Sequence, residues 1–392
     1  MKDATRAVLA GRDPGPDPRF VNPPVYHAST VLFDTVDEMR ATGRIRAGDG
    51  VTYAVHGTPG TYALERALAE LEGGYRTRLC NTGAQALSGP LLSYLSAGDH
   101  LLVPDACYGN TRELATGLLA RMGIAVEFYD PLIGGGIREL FRPETRLVWC
   151  ESPGSQTFEV QDVPAIAEEA HRHGALVALD NTWAGPQYFP AFEHGVDISI
   201  QALTKYVSGH ADLVMGAVTT TEAAYDALQQ GWYHLGLSAS PDDAYLALRG
   251  LRTMPLRLRQ HWETGLAVGH WLKGRPEVAE VIHPAMEHDA GHALWSRDFR
   301  GAGGLFAFTL AEGLSGRAQQ AAFFDGLELF GMGFSWGAFQ SMIMPVNPRR
   351  SVTPWPKPGR PTGQTVRIFT GLEHPDDLIA DLSAGFERMA RV

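Results

Sequence analysis

Lysine is scarce in this chain. Only Lys2, Lys205, Lys273 and Lys357 occur, and arginine supplies nearly all the other positive charge. Cysteine is scarcer still: Cys80, Cys107 and Cys150 lie far apart and form no CxxC pair. That pattern excludes a disulfide or zinc framework and suits a reducing compartment. No run of about 18 apolar residues exists, so no transmembrane helix is expected. The apolar stretch in MKDATRAVLA is too short for a signal sequence, and charges and prolines follow it at once. A cytoplasmic protein is the expectation. No basic cluster offsets the net charge of -11, which argues against nucleic acid or an anionic membrane as a main partner. Neither GxGxxG nor GxxxxGK[ST] is present, so dinucleotide-binding and P-loop readings are weak.

What is present is ordinary globular composition, 44% apolar and 20% charged over 392 residues. Residues 1–60 are rich in Pro, Gly and turn signals and read as an extended arm. A helix is predicted over Thr61–Glu72, stopped by Gly73-Gly74. Strands are predicted at His100–Pro104, Ala125–Tyr129, Leu147–Cys150, Ala175–Leu179, Ile198–Ala202 and Leu213–Thr219. Helical patterns lie between several of them, such as Val163–His173 with Asp162 as N-cap. Such alternation predicts an α/β fold with a mostly parallel sheet covered on both faces. A long amphipathic helix over about Pro241–Leu272 leads to a part with fewer strands, Gly304–Leu310 and Thr365–Phe369, and a final helix, Pro375–Arg388. The expected division is an arm over 1–60, a large domain over 61–255 and a small domain over 256–392.

Open α/β sheets bind ligands at the carboxyl ends of their strands. Lys205 ends an apolar strand, where a lysine is unusual. A desolvated lysine has a depressed pKa and can act as nucleophile and base, which arginine cannot do at neutral pH. The plainer reading is a lysine that snorkels to water. Asp180 and Glu151 end two further strands, and the plainer reading of Asp180 is a cap or a structural ion pair. Asn81–Gln85 is a small-residue turn into a helix, fit for phosphate or simply a helix start. Together these parts are more specific. A lysine for covalent attachment, an acid for a pyridinium nitrogen and a phosphate cradle are what pyridoxal phosphate needs. Tyr108, after the strand His100–Pro104, could lie over its ring. His288 and His292 are spaced i, i+4 without an evident third ligand, so no metal site is expected. His210 is assigned no role.

The segments GTPGTYALERALAELEGG, ESPGSQTFEVQDVPAI, ALDNTWAGP, SIQALTKYVSGHADLVMGAV, FSWGAFQSM and VRIFTGLEHPDDLIADL carry a resemblance across most of the chain. In order and spacing the sequence resembles the cystathionine β-lyase branch of the Cys/Met-metabolism pyridoxal-phosphate enzymes. The resemblance implies a large domain of the type I aminotransferase fold with a seven-stranded sheet, and a smaller C-terminal α/β domain. It also implies an arm that reaches a neighbouring subunit, and a homotetramer built from two catalytic dimers. It makes Lys205 the residue that binds the cofactor covalently, Asp180 the pyridinium partner and Tyr108 the stacking residue. It puts the amides of Gly83 and Ala84 and the Thr204 hydroxyl on the phosphate, with Tyr53 reaching it from the partner. Arg367 becomes the clamp on the substrate carboxylate, and Ser335, Trp336 and Asn181 line the substrate side. Two positions depart from the family pattern. Val55 stands where a phosphate-binding arginine is common, with His56 beside it, and Phe334 stands where a tyrosine is more usual.

The bulky, apolar Phe334-Ser335-Trp336 set resembles that of the β-lyases. The expected reaction is carbon–sulfur β-cleavage of L-cystathionine, or a related cysteine S-conjugate, to a thiol, pyruvate and ammonia. The alternatives are γ-elimination or γ-replacement on the same fold, and a degenerate pyridoxal-phosphate-binding regulatory protein.

Overall fold

A computed structural model describes residues 1–12, 19–42 and 49–392. Parts of the predicted arm, 13–18 and 43–48, lie outside the described residues. The large sheet has seven strands: β1 (Arg76–Cys80), β2 (His100–Pro104), β3 (Ala125–Tyr129), β4 (Thr145–Glu151), β5 (Leu176–Asp180), β6 (Ile198–Gln201) and β7 (Gly216–Thr220). Their spatial order is β1-β7-β6-β5-β4-β2-β3. The pairs from β6 through β3 are parallel, and β7 runs antiparallel to both β1 and β6. The expected α/β fold with a mostly parallel seven-stranded sheet is therefore present.

Five of these strands fall where apolar runs predicted them, within a residue or two. The sixth, β7, begins later than Leu213. β1 escaped because RTRLC carries two arginines, yet Arg78 is buried with its guanidinium 3.4 Å from Glu65. A buried cation needs such a partner, and tertiary context outweighed local pattern.

Helices cover both faces of the sheet, and local chemistry sets their ends. The helix α1 (Pro59–Glu72) starts with a capping box between Thr58 and Thr61, and Gly73 closes it at φ 76. The helix α2 (Gly83–Tyr94) starts at Thr82, whose hydroxyl accepts from the Gln85 amide at 3.0 Å. The helix α3 (Val163–Arg172) is capped by Asp162, as its sequence predicts. One buried cluster, with Leu64, Leu68, Val148 and Leu179, fills one side of the sheet. A second, with Leu91, Leu101, Trp149 and Trp232, fills the other.

The helix α4 (Pro241–Lys273) continues without a break through Pro255. It packs on α1 at one end and against a second sheet at the other. That sheet comprises β8 (Val278–Ile282), β9 (Leu305–Leu310), β10 (Met342–Val346) and β11 (Thr365–Phe369), in the order β10-β11-β9-β8, all antiparallel. The last helix, α5 (Pro375–Met389), covers it through Leu378, Leu382 and Phe386. Among the described residues no helix is long and apolar enough to cross a membrane.

Candidate active site

The carboxyl ends of β2, β4, β5 and β6 open into one cavity of about 670 Å³. Lys205 follows β6 through a turn closed by its own amide on Ala202 O at 3.0 Å. Asp180 is the last residue of β5 and pairs in register with Glu151, the last of β4. Tyr108 follows β2, and its amide donates to Glu151 Oε2 at 2.7 Å. From the small sheet come Arg367, on β11, and the segment Phe334–Trp336. All of these line the cavity, with Gly83, Ala84 and Thr204.

Lys205 Nζ donates to Ser335 Oγ at 2.7 Å, and the Trp336 ring lies 5.4 Å from the amine. Burial, and next the positive charge of Arg367, lower the Lys205 pKa to about 8, against the pull of Asp180. Ser335 has φ 90, a conformation costly for a residue with a Cβ. Gly337 beside it has φ 89, and a Cβ there would come within 3.0 Å of the Lys205 backbone. The close approach that brings the Ser335 hydroxyl to the amine therefore requires glycine at 337.

Burial raises the Asp180 carboxyl, while hydrogen bonds from Thr182 and the charge of Lys205 oppose it. Its Oδ1 accepts from the Thr182 amide at 3.1 Å. Arg367 Nη2 reaches Gly333 O at 3.4 Å, Ser335 O at 3.3 Å and Met344 Sδ at 3.0 Å. Burial lowers its pKa, and among the described residues it forms no ion pair. Burial, then Asp180 and Glu151, raise the Tyr108 phenol.

These groups fit pyridoxal phosphate. The amides of Gly83 and Ala84 open α2 and have no intrahelical acceptor, so they suit a phosphate. A Cβ on Gly83 would come within 3.0 Å of the Ala202 side chain, so the backbone there is close to the neighbouring strand end. Asp180 is a half-buried acid suited to a protonated ring nitrogen, and Lys205 supplies the amine. Thr204 differs in one respect: its hydroxyl already exchanges hydrogen bonds with the Met215 backbone, at 3.2 and 3.0 Å.

Two predicted residues do not line this cavity within the chain. Asn181 is fully buried, and its side chain donates to Phe189 O at 3.2 Å. Tyr53 is half exposed, at the start of a short turn over Ala54–His56. His56 packs edge-on against Tyr233 and bonds Thr52, away from the cavity lining. The paired histidines face carbonyls: His288 bonds Val281 O and His292 bonds Pro284 O.

Sequence reasoning missed one wall. Asn347, Pro348, Arg349 and Arg350 line the cavity from the connection between β10 and β11, opposite the segment that begins at Asp105. No periodic pattern marks that stretch.

Comparison with known proteins agrees with this geometry. The chain is 39% identical to cystathionine beta-lyase of Salmonella typhimurium over 98% of both chains. It is 38% identical to cystathionine beta-lyase MetC of Escherichia coli, again over 98% of both. The crystal structure of cystathionine gamma synthase from Xanthomonas oryzae pv. oryzae, in complex with aminoacrylate and cysteine, superposes with a TM-score of 0.89. It covers 100% of this chain and 99% of its own, at 32% identity. The model of the Cys/Met metabolism PLP-dependent enzymes matches residues 4–387, and with the lysine, acid and helix start gathered in one cavity, the chain belongs to that family.

Proposed function

We propose that this chain is a carbon–sulfur lyase that cleaves L-cystathionine, or a related cysteine S-conjugate, at its Cβ–S bond. Water enters the overall reaction, and a thiol, pyruvate and ammonia leave. One observation carries the reading. A half-buried amine of lowered pKa and a half-buried guanidinium with no counter-charge among the described residues face one cavity, beside the bulky apolar pair Phe334 and Trp336. The similar relatives named cystathionine beta-lyase support the same reading.

When bound, pyridoxal phosphate supplies an electron sink for the charge left at Cα. The other roles belong to the chain. Arg367 grips the substrate α-carboxylate with two N–H donors in a plane. Lys205 Nζ takes the Cα proton, and its pKa near 8 suits a base at neutral pH. Ser335 orients that amine. Asp180 keeps the proton on the ring nitrogen. Lys205 or Tyr108 returns a proton to the leaving sulfur. The Gly83 and Ala84 amides and Thr204 hold the phosphate, with Tyr53 of a neighbouring subunit completing the site. Trp336 lines the substrate side, and in this reading Asn181, buried beside Asp180 with its amide on Phe189 O, backs that side from behind the cavity lining.

The reading includes a cytoplasmic homotetramer of two catalytic dimers. The three cysteines are free and buried, which suits a reducing compartment. The structural similarity to a gamma synthase keeps γ-chemistry as the second reading. The test is to supply L-cystathionine to the purified protein with pyridoxal phosphate and identify the oxo acid. Pyruvate is the expected product. Release of 2-oxobutyrate instead moves the reading to γ-elimination. Formation of cystathionine from cysteine and an activated homoserine ester moves it to γ-replacement.

A further inference from the structure

β10 and β11 are antiparallel neighbours in the small sheet, yet the chain between them runs from 347 to 364. Loops joining such neighbours are usually about 2–5 residues. This one leaves its own sheet and fastens to the large domain at two points. At the first, the fully buried Asp105 accepts from the Ser351, Val352 and Thr353 amides at 2.7–3.0 Å. It also accepts from the Thr353 hydroxyl at 3.2 Å and from Arg112 Nη2 at 2.7 Å. Arg112 donates through Nη1 to Ser351 Oγ at 2.7 Å. At the second, Glu159 takes Arg350 Nη2 at 2.5 Å and lies 3.2 Å from Lys357 Nζ, while Thr157 Oγ1 takes Arg350 at 2.8 Å.

A buried carboxylate costs several kcal/mol unless its lone pairs are filled, to the order given by general desolvation. Burial alone would raise the Asp105 carboxyl, but the Thr353, Arg112, Val352 and Ser351 donors together hold it below the usual range. Three of those donors are consecutive amides of one loop, so the carboxylate reads the loop's backbone course rather than its side chains. Asp105 stands three residues before Tyr108, whose amide is held by Glu151. The loop's own residues 347–350 line the same cavity as that segment.

We infer that the 347–364 strap is the wall that sets the length of substrate the cavity accepts, and that Asp105 is the positioning residue that holds it in place. The part of this inference that names a substrate rests on the lyase reading above. A substrate whose leaving half is a second amino acid extends to that wall, whereas S-methyl-L-cysteine ends short of it. Asp105→Asn puts an N–H donor where amide donors converge and releases the strap. Ser351→Pro removes, from the strap side, the amide that donates to Asp105 and the hydroxyl that accepts from Arg112, and it changes no residue of the Asp105 segment, so it serves if the first variant does not fold.

The experiment has two readouts on the full-length holoenzyme. Limited trypsin digestion followed by mass spectrometry is expected to cut D105N after Arg349 or Arg350, and S351P after Arg349, while the parent resists. This readout needs no turnover, so it stands even if the parent cleaves no cystathionine. Equal resistance overturns the anchoring role. In the second, the ratio of kcat/KM for L-cystathionine to that for S-methyl-L-cysteine is expected to fall about 10-fold in the variants, the scale of one lost positioning contact. An unchanged ratio overturns the length-setting role. Absence of pyruvate from both substrates in the parent overturns the lyase reading instead, with the digestion result still deciding the strap.

Discussion

Lys205 Nζ and Ser335 Oγ are 2.7 Å apart, and this is the one hydrogen bond of the amine among the described residues. The bond spans the two sheets. It ties the residue after β6 to a loop of the small sheet, so the amine's aim depends on how the two parts sit together. Ser335→Ala is expected to lower kcat by about 10- to 100-fold, the loss of one hydrogen bond to a charged or reacting group. Cofactor content, read by absorbance, is expected to stay near normal. A variant with parental kcat would show that Ser335 does not aim the amine.

Arg367 predicts a different signature. Its guanidinium is partly desolvated and has no counter-charge among the described residues, so it should bind a carboxylate strongly. Arg367→Gln is expected to raise KM for any amino-acid substrate by roughly 100-fold or more, as for loss of a buried charged pair. Arg367→Lys should recover little, because an ammonium cannot make the two-point contact. Steady-state kinetics on both variants checks this, and a KM within a few-fold of the parent would remove Arg367 from the site.

Lys205 also leaves a mark on stability. In cofactor-free protein its folded pKa is about 8 against an ordinary 10.5. Below pH 8 both folded and unfolded chains carry the proton, and the folded state bears the full desolvation cost. Between about 8 and 10.5 the unfolded chain binds more protons, so stability recovers as pH rises. Lys205→Met should therefore stabilise the cofactor-free protein at pH 7 by up to about 3 kcal/mol. The gain should shrink at pH 9.5. Denaturant midpoints at the two values check it, and a gain independent of pH would contradict it. The same variant should lack turnover.

Glu72 titrates outside the cavity lining. It ends α1, buried near Ser199, Gln201 and Thr219, yet neither carboxyl oxygen makes a well-formed hydrogen bond among the described residues. Burial therefore dominates and pushes its carboxyl up to about 7. The folded chain then holds a proton that the unfolded chain releases at about 4.5, so stability falls as pH rises between these values. Glu72→Gln should be neutral at pH 4.5 and stabilising by about 3 kcal/mol at pH 8. Melting curves at both values test the sign.

Much of this was legible in the chain itself. Strands buried on both faces are mostly apolar, so β2, β4, β5 and β6 announce themselves, and the edge strand β3 shows through its β-branched and aromatic residues despite Glu127; the rule that ligands gather at strand ends then picks out Tyr108, Glu151, Asp180 and Lys205. β1 was hidden because its arginine is satisfied by Glu65, a partner no local window contains. β8 and β10 were hidden for a related reason. β8 is only partly buried and carries Glu280, and β10 holds Pro345 where strand patterns normally break. The strap was illegible because its anchor lies 246 residues from Ser351, and backbone amides leave no trace in side-chain spacing. Asn181 follows Asp180 directly, yet the chain turns there and its side-chain amide donates to Phe189 O, a partner that spacing alone does not reveal.

The unbroken course of α4 has a consequence for how the molecule comes apart. One rod contributes Leu248, Leu251 and Leu258 to the core of the large sheet and Val268 and Leu272 to that of the small one. Neither core can lose order without exposing part of the other's lining. The two halves are thus mechanically geared, and heating should give a single calorimetric transition rather than two.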